Sequence, residues 1–191
     1  ERKNISKLTD NKLTNKIAVI VEDRGQFSNG YADSINNKIG IFTYPPDSYS
    51  SLATYENWYK FLTVHELTHI GHLTNTSGLS SFFQYIYGNL ATPNLHSPLW
   101  LIEGTAVYSE SNLSPYSGRL NSGYYDGVFK SKSSAKSLPT LSEITYNHNH
   151  FPSGHRYLYG AKFIEYLSLE YGEDKLGEFF DTYGSYFWSP F

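Results

Sequence analysis

Residues 65–69 read His-Glu-Leu-Thr-His, a spacing that suits a zinc-binding helix. Side chains at positions i and i+4 of a helix lie on one face about 5–6 Å apart, so His65 and His69 can converge on one metal ion. Glu66 follows the first histidine and lies beside that face, where its carboxylate can polarise a zinc-activated water. The pattern predicts a catalytic Zn²⁺ site with Glu66 as general base. The alternative is a core helix with two partly buried histidines.

A catalytic zinc needs a third protein ligand and one open position. Glu103 is the strongest candidate, because it lies among apolar neighbours on a second predicted helix, where an unpaired carboxylate is costly to bury. Glu110 lies two helical turns further along and is a candidate hydrogen-bond partner for a ligand histidine. The alternative for both carboxylates is an exposed position on the helix surface.

Hydrophobic spacing and turn residues indicate the elements that must position these side chains. The predicted helices span residues 55–73, 97–111, 139–144, 154–171 and 174–183. The first is expected to fray at Gly71, and the second to begin with Ser97 as its cap and Pro98 at its first position. Two strands are predicted, a buried one over 17–21 and one over 38–44.

The remaining segments carry weaker patterns. Residues 1–16 are predicted to be a tail or linker, and the turn-rich stretch 25–33 lies between the strands. Residues 74–96 indicate a long connection with a short helix inside it, and residues 113–137 a long surface loop with one ordered patch. Two strands followed by helices predict an α+β fold, with a small β-sheet at the N-terminal side and a mainly helical domain after it.

The amino-acid composition limits the classes of protein to which the chain can belong. The 191 residues suit a single domain, and a net charge of −3 argues against a nucleic-acid binder. The absence of cysteine excludes disulfides and thiolate zinc ligands. An extracytoplasmic or secreted location is the favoured one, and the absence of cysteine is compatible with it but does not require it. No apolar run approaches the roughly 20 residues of a membrane span. Because methionine is absent and the chain ends on aromatic residues, we expect a fragment of a longer protein, with an additional domain beyond the C-terminus as one explanation.

The motifs resemble those of the gluzincin metallopeptidases, of the broad peptidase MA-like kind, whose zinc ligands are the two motif histidines and a glutamate from a following helix. The closest resemblance is to the branch with aminopeptidase N and leukotriene hydrolase, which has a W-L-x-E-G-x-x-x-Y pattern. This chain carries that pattern as Trp100, Leu101, Glu103, Gly104 and Tyr108. The branch also has a Y-x-x-G-A segment, matched here by residues 157–161, which implies that Tyr157 stabilises the oxyanion. The resemblance covers residues 55–183 and implies a zincin-like catalytic domain.

Two departures from that branch bear on the function. The separation of His69 from Glu103 is longer than in compact members, so residues 74–96 are read as an insertion beside the site. The G-x-M-E-N strand that captures a substrate's free α-amine has no counterpart, which favours an endopeptidase over an exopeptidase. We expect a zinc-dependent peptidase acting on a peptide or protein substrate, which pairs along strand 38–44 as the sheet edge. A non-catalytic peptide-binding module with a vestigial zinc site, and a non-peptide hydrolase on the same residues, remain alternatives.

Other polar residues near the predicted site have less specific patterns. Tyr159 is expected to face away from Tyr157, and His72 to be a surface histidine or a group at the rim of the site. Arg156 is either a ligand for a substrate carboxylate or part of a surface salt bridge. A histidine cluster before Tyr157 is read as a polar loop, with a second metal site or a second oxyanion donor as the alternatives; it comprises His148, His150 and His155.

Overall fold

The computed structural model describes residues 2–146 and 154–187. These residues form the predicted α+β fold, with a small sheet near the N-terminus and helices after it. The strands are β1 (Ala18–Glu22), β2 (Gly30–Asp33) and β3 (Lys38–Phe42). The helices are α1 (Arg2–Thr9), α2 (Trp58–Leu73), α3 (Gly78–Tyr87), α4 (Leu99–Ser111), α5 (Gly123–Ser134), α6 (Leu141–Tyr146), α7 (His155–Tyr171) and α8 (Glu173–Ser185).

The sheet has the order β1-β3-β2, with β1 parallel and β2 antiparallel to β3. Strand β3 is therefore central, and the prediction that residues 38–44 form the edge is wrong, because both sides of β3 are already paired. Strand β2 forms the edge that faces α2. The sequence does not predict this strand, because residues 25–33 are rich in turn residues. Strand β1 was predicted to be buried, yet Val19 and Val21 are exposed, because β1 lies at an edge of the sheet where the described residues do not cover these side chains.

Helix α1 replaces most of the predicted tail. Ile5 and Leu8 are buried three residues apart on one face, and α1 packs against α2 and α8. The chain after α1 is also fixed, because the Asn11 side-chain amide donates to the Gly71 carbonyl oxygen over 2.9 Å. The prediction of a tail over residues 1–16 is therefore wrong for the described part of that segment.

Helix α2 forms the centre of the molecule and carries the histidine motif. Its start is fixed by Asn57, whose side-chain oxygen accepts a hydrogen bond from the Lys60 amide at 2.9 Å. Trp58 and Phe61 are buried and stack with ring centroids 5.8 Å apart. The helix continues to Leu73, so Gly71 lies inside it and does not mark a frayed end.

Helix α4 packs closely against α7. It begins at Leu99 after Pro98, and Ser97 does not cap it, because the Ser97 hydroxyl lies 3.3 Å from His72 Nε2 instead. The two helices approach at Gly104 and Gly160, where a Cβ on Gly104 would lie 2.5 Å from the Gly160 carbonyl carbon. Only glycine permits this approach.

Residues 113–137 are more ordered than a surface loop. Helix α5 occupies much of this segment, and a short 3₁₀ turn before it, Arg119–Asn121, buries Arg119 and Leu120. The long-loop prediction is therefore wrong, because the side chains facing the core are too few and too widely spaced to give a periodic signal. Within the described residues, the helices are too short or too polar for any of them to cross a membrane.

Candidate metal centre

The two motif histidines converge as their spacing predicts. Both are buried, their rings are perpendicular with centroids 4.7 Å apart, and their Nε2 atoms lie 3.2 Å from each other. Helix α4 brings Glu103 to the same point, with Oε2 at 3.5 Å from His65 Nε2 and 3.5 Å from His69 Nε2. The predicted third ligand thus lies beside the histidine pair, although 34 positions of sequence separate Glu103 from His69.

The spacing of the three donor atoms fits zinc. Zinc binds imidazole nitrogen and carboxylate oxygen at about 2.0–2.2 Å with tetrahedral geometry, which places neighbouring donor atoms about 3.3–3.5 Å apart. The three separations observed here, 3.2, 3.5 and 3.5 Å, match that requirement closely. Three protein donors also leave a fourth position for a water or substrate, as a catalytic zinc site requires.

The buried charges around this point favour a divalent cation. Glu66, Glu103 and Glu110 bring three carboxylates to the centre, the first and last buried and Glu103 half-buried, and among the described residues the guanidinium of Arg119 pairs with Glu110. The carboxylates therefore outnumber the guanidinium by two, and in the metal-free protein the raised pKa of His65 lets a proton there offset part of the excess. Uncompensated buried charge is costly, and a bound divalent cation removes that cost.

Glu110 orients His65, the first candidate ligand, through the ring nitrogen that points away from Glu103 and His69. Its Oε2 lies 2.7 Å from His65 Nδ1, and the carboxylate is fully buried. An Nδ1–H that donates to Glu110 leaves the lone pair of His65 Nε2 free for a metal, which is the usual arrangement of a metal-ligating histidine. Glu110 therefore bonds to His65, as predicted for it, and the alternative of a solvated surface carboxylate is wrong.

Arg119 fixes Glu110 in turn. Its Nε donates to Glu110 Oε1 over 2.7 Å and its Nη2 to Oε2 over 2.8 Å, forming a two-pronged ion pair. The Arg119 backbone amide also donates to Oε1 over 3.2 Å. Burial alone would raise the pKa of Glu110, but the Arg119 charge and hydrogen bonds outweigh it and hold that pKa below its usual range.

The same neighbours set the protonation of the ligands in the metal-free protein. Burial alone would lower the pKa of His65, but hydrogen bonds with Glu103 and Glu110 outweigh burial and raise the pKa to about 9. Burial would likewise raise the pKa of Glu103, and the hydrogen bonds with His65 and His69 instead hold it well below its usual range. A proton on His65 and a metal ion therefore compete for the same negative site.

A cleft opens beside the centre and contains Glu66 and Tyr157. Its cavity of about 260 Å³ is lined by the following residues: Asn29, Ser51, Leu52, Phe61, Leu62, His65, Glu66, Arg119, Tyr124, Tyr125, Gly154 and Tyr157. The Tyr157 hydroxyl lies 3.4 Å from Glu103 Oε1, so the tyrosine predicted to stabilise the oxyanion faces the candidate ligands. Burial raises the pKa of Tyr157, with the Glu103 charge adding to the effect, which keeps the hydroxyl protonated as a donor.

The other predicted residues lie outside this group. Tyr159 is buried against Phe129, and its hydroxyl has no hydrogen-bond partner in the described part of the chain. His72 is also buried rather than at the surface, because α2 is covered there by Ser97 and Phe180. Tyr108 bonds with Ser168 and Glu173 instead of the ligands.

Arg156 and His155, which lie near Tyr157, make no polar contact with the candidate ligands. Arg156 lies with Cζ 5.5 Å from the Tyr157 ring centroid and forms no salt bridge with the described residues. Both ring nitrogens of His155 are buried without a partner among those residues. His148 and His150 lie outside the described residues.

Arg119 is the residue of this centre that sequence reasoning missed. It lies in a Ser/Gly-rich segment without periodicity, where neither helix nor strand spacing indicates burial. One signal in the sequence pointed to it. Arg119 is the only lysine or arginine between Lys60 and Lys130, so it is the only such cation in the stretch that contains the three carboxylates of the centre.

No protein-family model, curated protein or solved structure matches this chain.

Proposed function

We propose that this chain is a zinc-dependent peptidase in which His65, His69 and Glu103 hold the metal. The observation that carries the proposal is the triangle of donor atoms at 3.2, 3.5 and 3.5 Å, whose edges suit three corners of a zinc tetrahedron. The pair Glu110–Arg119 behind His65 supports it, because metal-ligating histidines are usually oriented by a carboxylate on the other ring nitrogen.

Glu66 and Tyr157 supply the groups that peptide hydrolysis needs beside the metal. When bound, zinc supplies Lewis-acid activation of a water and polarisation of a carbonyl group. Glu66 accepts a proton from the attacking water as the water oxygen bonds to the scissile carbon. The proton then passes from Glu66 to the leaving amine as the carbon–nitrogen bond breaks. The Tyr157 hydroxyl donates to the carbonyl oxygen while that oxygen carries negative charge.

Strand β2 is the proposed docking edge for the substrate, in place of the strand first expected. Among the described residues it pairs only with β3, so its outer backbone groups are available to an extended peptide. Its first residue is close to the chemistry, because a Cβ on Gly30 would lie 3.0 Å from Glu66 Oε1. Asn29, just before the strand, lines the cleft. A zincin-like architecture, with a substrate strand beside the histidine helix, follows from this proposal.

An endopeptidase is the favoured form of this activity, because the sequence lacks the strand motif that captures a free α-amine in the aminopeptidases that it resembles. Peptides blocked at both ends distinguish the two forms. We expect cleavage of a peptide with an acetylated N-terminus and an amidated C-terminus at internal bonds. Cleavage confined to free N-termini would indicate an exopeptidase.

The Glu66→Gln variant tests the proposed activity. It keeps the size of the side chain and removes the base, so we expect the variant to bind zinc and to lose cleavage of a mixed peptide library. Glu178→Gln, at an exposed position on α8, is the matched control and should keep full activity. Unchanged cleavage by Glu66→Gln would refute the assignment of the base. A wild-type chain that binds zinc but cleaves no peptide would instead indicate a binding module with a vestigial site.

A further inference from the structure

We infer that Arg119 is a positioning residue that holds the metal ligand His65 and the oxyanion donor Tyr157 in one rigid unit. The inference rests on the proposed function, because it assigns roles to those two residues. It goes beyond that function by giving a role to a residue that is neither one of the three proposed metal ligands nor a partner in the proposed proton transfer. The observation behind it is that one buried guanidinium meets side chains from three helices.

The first contact is with Glu110 on α4 and, through it, with His65 on α2. The two parallel hydrogen bonds from Arg119 to the carboxylate, at 2.7 and 2.8 Å, fix both the position and the rotation of that carboxylate. The Oε2 atom held by Nη2 is the one that lies 2.7 Å from His65 Nδ1. Nη2 itself lies 2.9 Å from Nδ1, but both atoms carry hydrogen when Nδ1–H donates to Glu110, so Arg119 orients the imidazole ring through the carboxylate and not by a hydrogen bond of its own.

The second contact is with Tyr157 on α7. Arg119 Cζ lies 4.7 Å from the centroid of the Tyr157 ring, within the range of a favourable cation–π contact. Phe61 on α2 lies on the same guanidinium, with its ring centroid 5.9 Å from Cζ. The tyrosine ring is thus held by the cation that also orients Glu110, while its hydroxyl lies 3.4 Å from Glu103 Oε1.

Arginine is suited to this position in a way that lysine is not. A guanidinium is planar, so its edge can bond to a carboxylate in two places while its face contacts an aromatic ring. A lysine ammonium is a compact charge that can neither bond to a carboxylate through two parallel hydrogen bonds nor place a planar group against an aromatic ring. Arg119→Lys therefore keeps the charge that balances Glu110 and removes the geometry, which separates the positioning role from simple charge compensation.

The zinc dissociation constant of Arg119→Lys tests this inference, and it is measured by competition with a chromophoric chelator. We expect Arg119→Lys to bind zinc about 10–100-fold more weakly than the wild type, the usual cost of losing an outer-shell partner. Arg24→Lys is the matched control. Arg24 also pairs with a carboxylate, Glu22, and lies 5.7 Å from an aromatic ring centroid, that of Phe42, but away from the metal centre. We expect it to leave zinc affinity unchanged.

A double-mutant cycle on kcat tests the link to Tyr157. If Arg119 positions the ring, Tyr157→Phe should lower kcat at least about fivefold less in the Arg119→Lys background than in the wild type, because coupled residues are not additive. A role in folding alone would lower the melting temperature and leave both the zinc affinity of the folded protein and the additivity unchanged. Either unchanged zinc affinity or full additivity would overturn the inference.

The remaining outcomes are distinguishable. If Arg119→Lys does not fold, Arg119→Gln replaces it, since it keeps a planar amide beside Tyr157; because it also loses the charge, the non-additivity with Tyr157→Phe then decides between positioning and charge compensation. Failure of both variants to fold would assign Arg119 to folding alone and overturn the inference. A wild-type chain that binds no zinc would overturn the proposed function. A wild type that binds zinc and cleaves peptide, with zinc affinity unchanged in Arg119→Lys, would overturn the inference alone.

Discussion

The close contact between α4 and α7 makes Gly104 the position where one added methyl group should do the most damage. A Cβ there would lie 2.5 Å from the Gly160 carbonyl carbon, 2.8 Å from its oxygen and 2.9 Å from the Ala161 nitrogen. All three obstacles are backbone atoms, so no change of rotamer relieves them. Ordinary van der Waals contact begins at 3.4 Å, so α4 and α7 must separate by nearly the difference between 3.4 Å and 2.5 Å.

The cost follows from two opposing effects. Overpacking of this kind destabilises a protein by about 1–3 kcal/mol, and rigid backbone obstacles place Gly104→Ala at the upper end. Alanine regains about 1 kcal/mol through its helix propensity, which leaves a net destabilisation of about 2 kcal/mol. With a urea m-value of about 2 kcal/mol/M, the midpoint of unfolding should fall by about 1 M. Because Glu103 adjoins Gly104, zinc affinity should fall as well.

Urea unfolding followed by circular dichroism, in the presence of a chelator, measures this effect. Gly127→Ala is the matched control: it lies inside α5, and a Cβ there meets no atom within 4 Å. It should stabilise the protein by about 0.5–1 kcal/mol, the ordinary gain from replacing a helical glycine. If Gly104→Ala raises the midpoint as Gly127→Ala does, the described packing of α4 on α7 is refuted.

Three further predictions concern single side chains of the centre and of α2. Glu103→Ala should lose bound zinc, measured by atomic emission after dialysis, and full occupancy would place the third ligand elsewhere. Tyr157→Phe should lower kcat about 10²–10³-fold with little change in KM. Tyr159→Phe removes a hydroxyl that has no hydrogen bond among the described residues, so it should leave kcat unchanged. An equal loss of kcat in this variant would contradict the assignment of the oxyanion donor to Tyr157. Burial lowers the pKa of His72 from 6.5 to about 3, with the nearby His69 charge adding to it. The unfolded chain therefore binds the proton first, and stability present above pH 6.5 is lost as the pH falls toward 3, by an amount on the order of a few kcal/mol. We expect the urea midpoint, measured with a chelator present, to fall less between pH 7 and pH 4 for His72→Leu than for the wild type. An equal fall of the midpoint in both proteins would contradict the effect of His72.

The sequence could predict those parts of the centre that depend on local geometry. His65 and His69 meet because a helix brings positions i and i+4 together, and Glu110 follows Glu103 by two turns of one helix. The meeting of Glu103 with the histidines depends on how α4 packs on α2. Spacing alone does not fix that packing, and the prediction rested on the cost of burying a carboxylate and on the family resemblance.

The elements that escaped prediction have short or irregular patterns. Strand β2 has four residues, Gly30–Asp33, within a turn-rich stretch, and it forms because β3 supplies its hydrogen-bond partners. Helix α1 turns only two hydrophobic side chains, Ile5 and Leu8, toward the core. Arg119 lies in a non-repetitive turn, and its burial is compensated by Glu110, a partner that only the tertiary structure brings near.

Zinc content and peptide cleavage, measured on one preparation of the chain before and after chelation, test the central claim most directly. The proposal predicts one zinc ion per chain, cleavage that stops when a chelator removes the metal, and recovery of cleavage when zinc is added back. Cleavage that survives complete removal of the metal, or a chain that binds no zinc at micromolar concentrations of the ion, would contradict it.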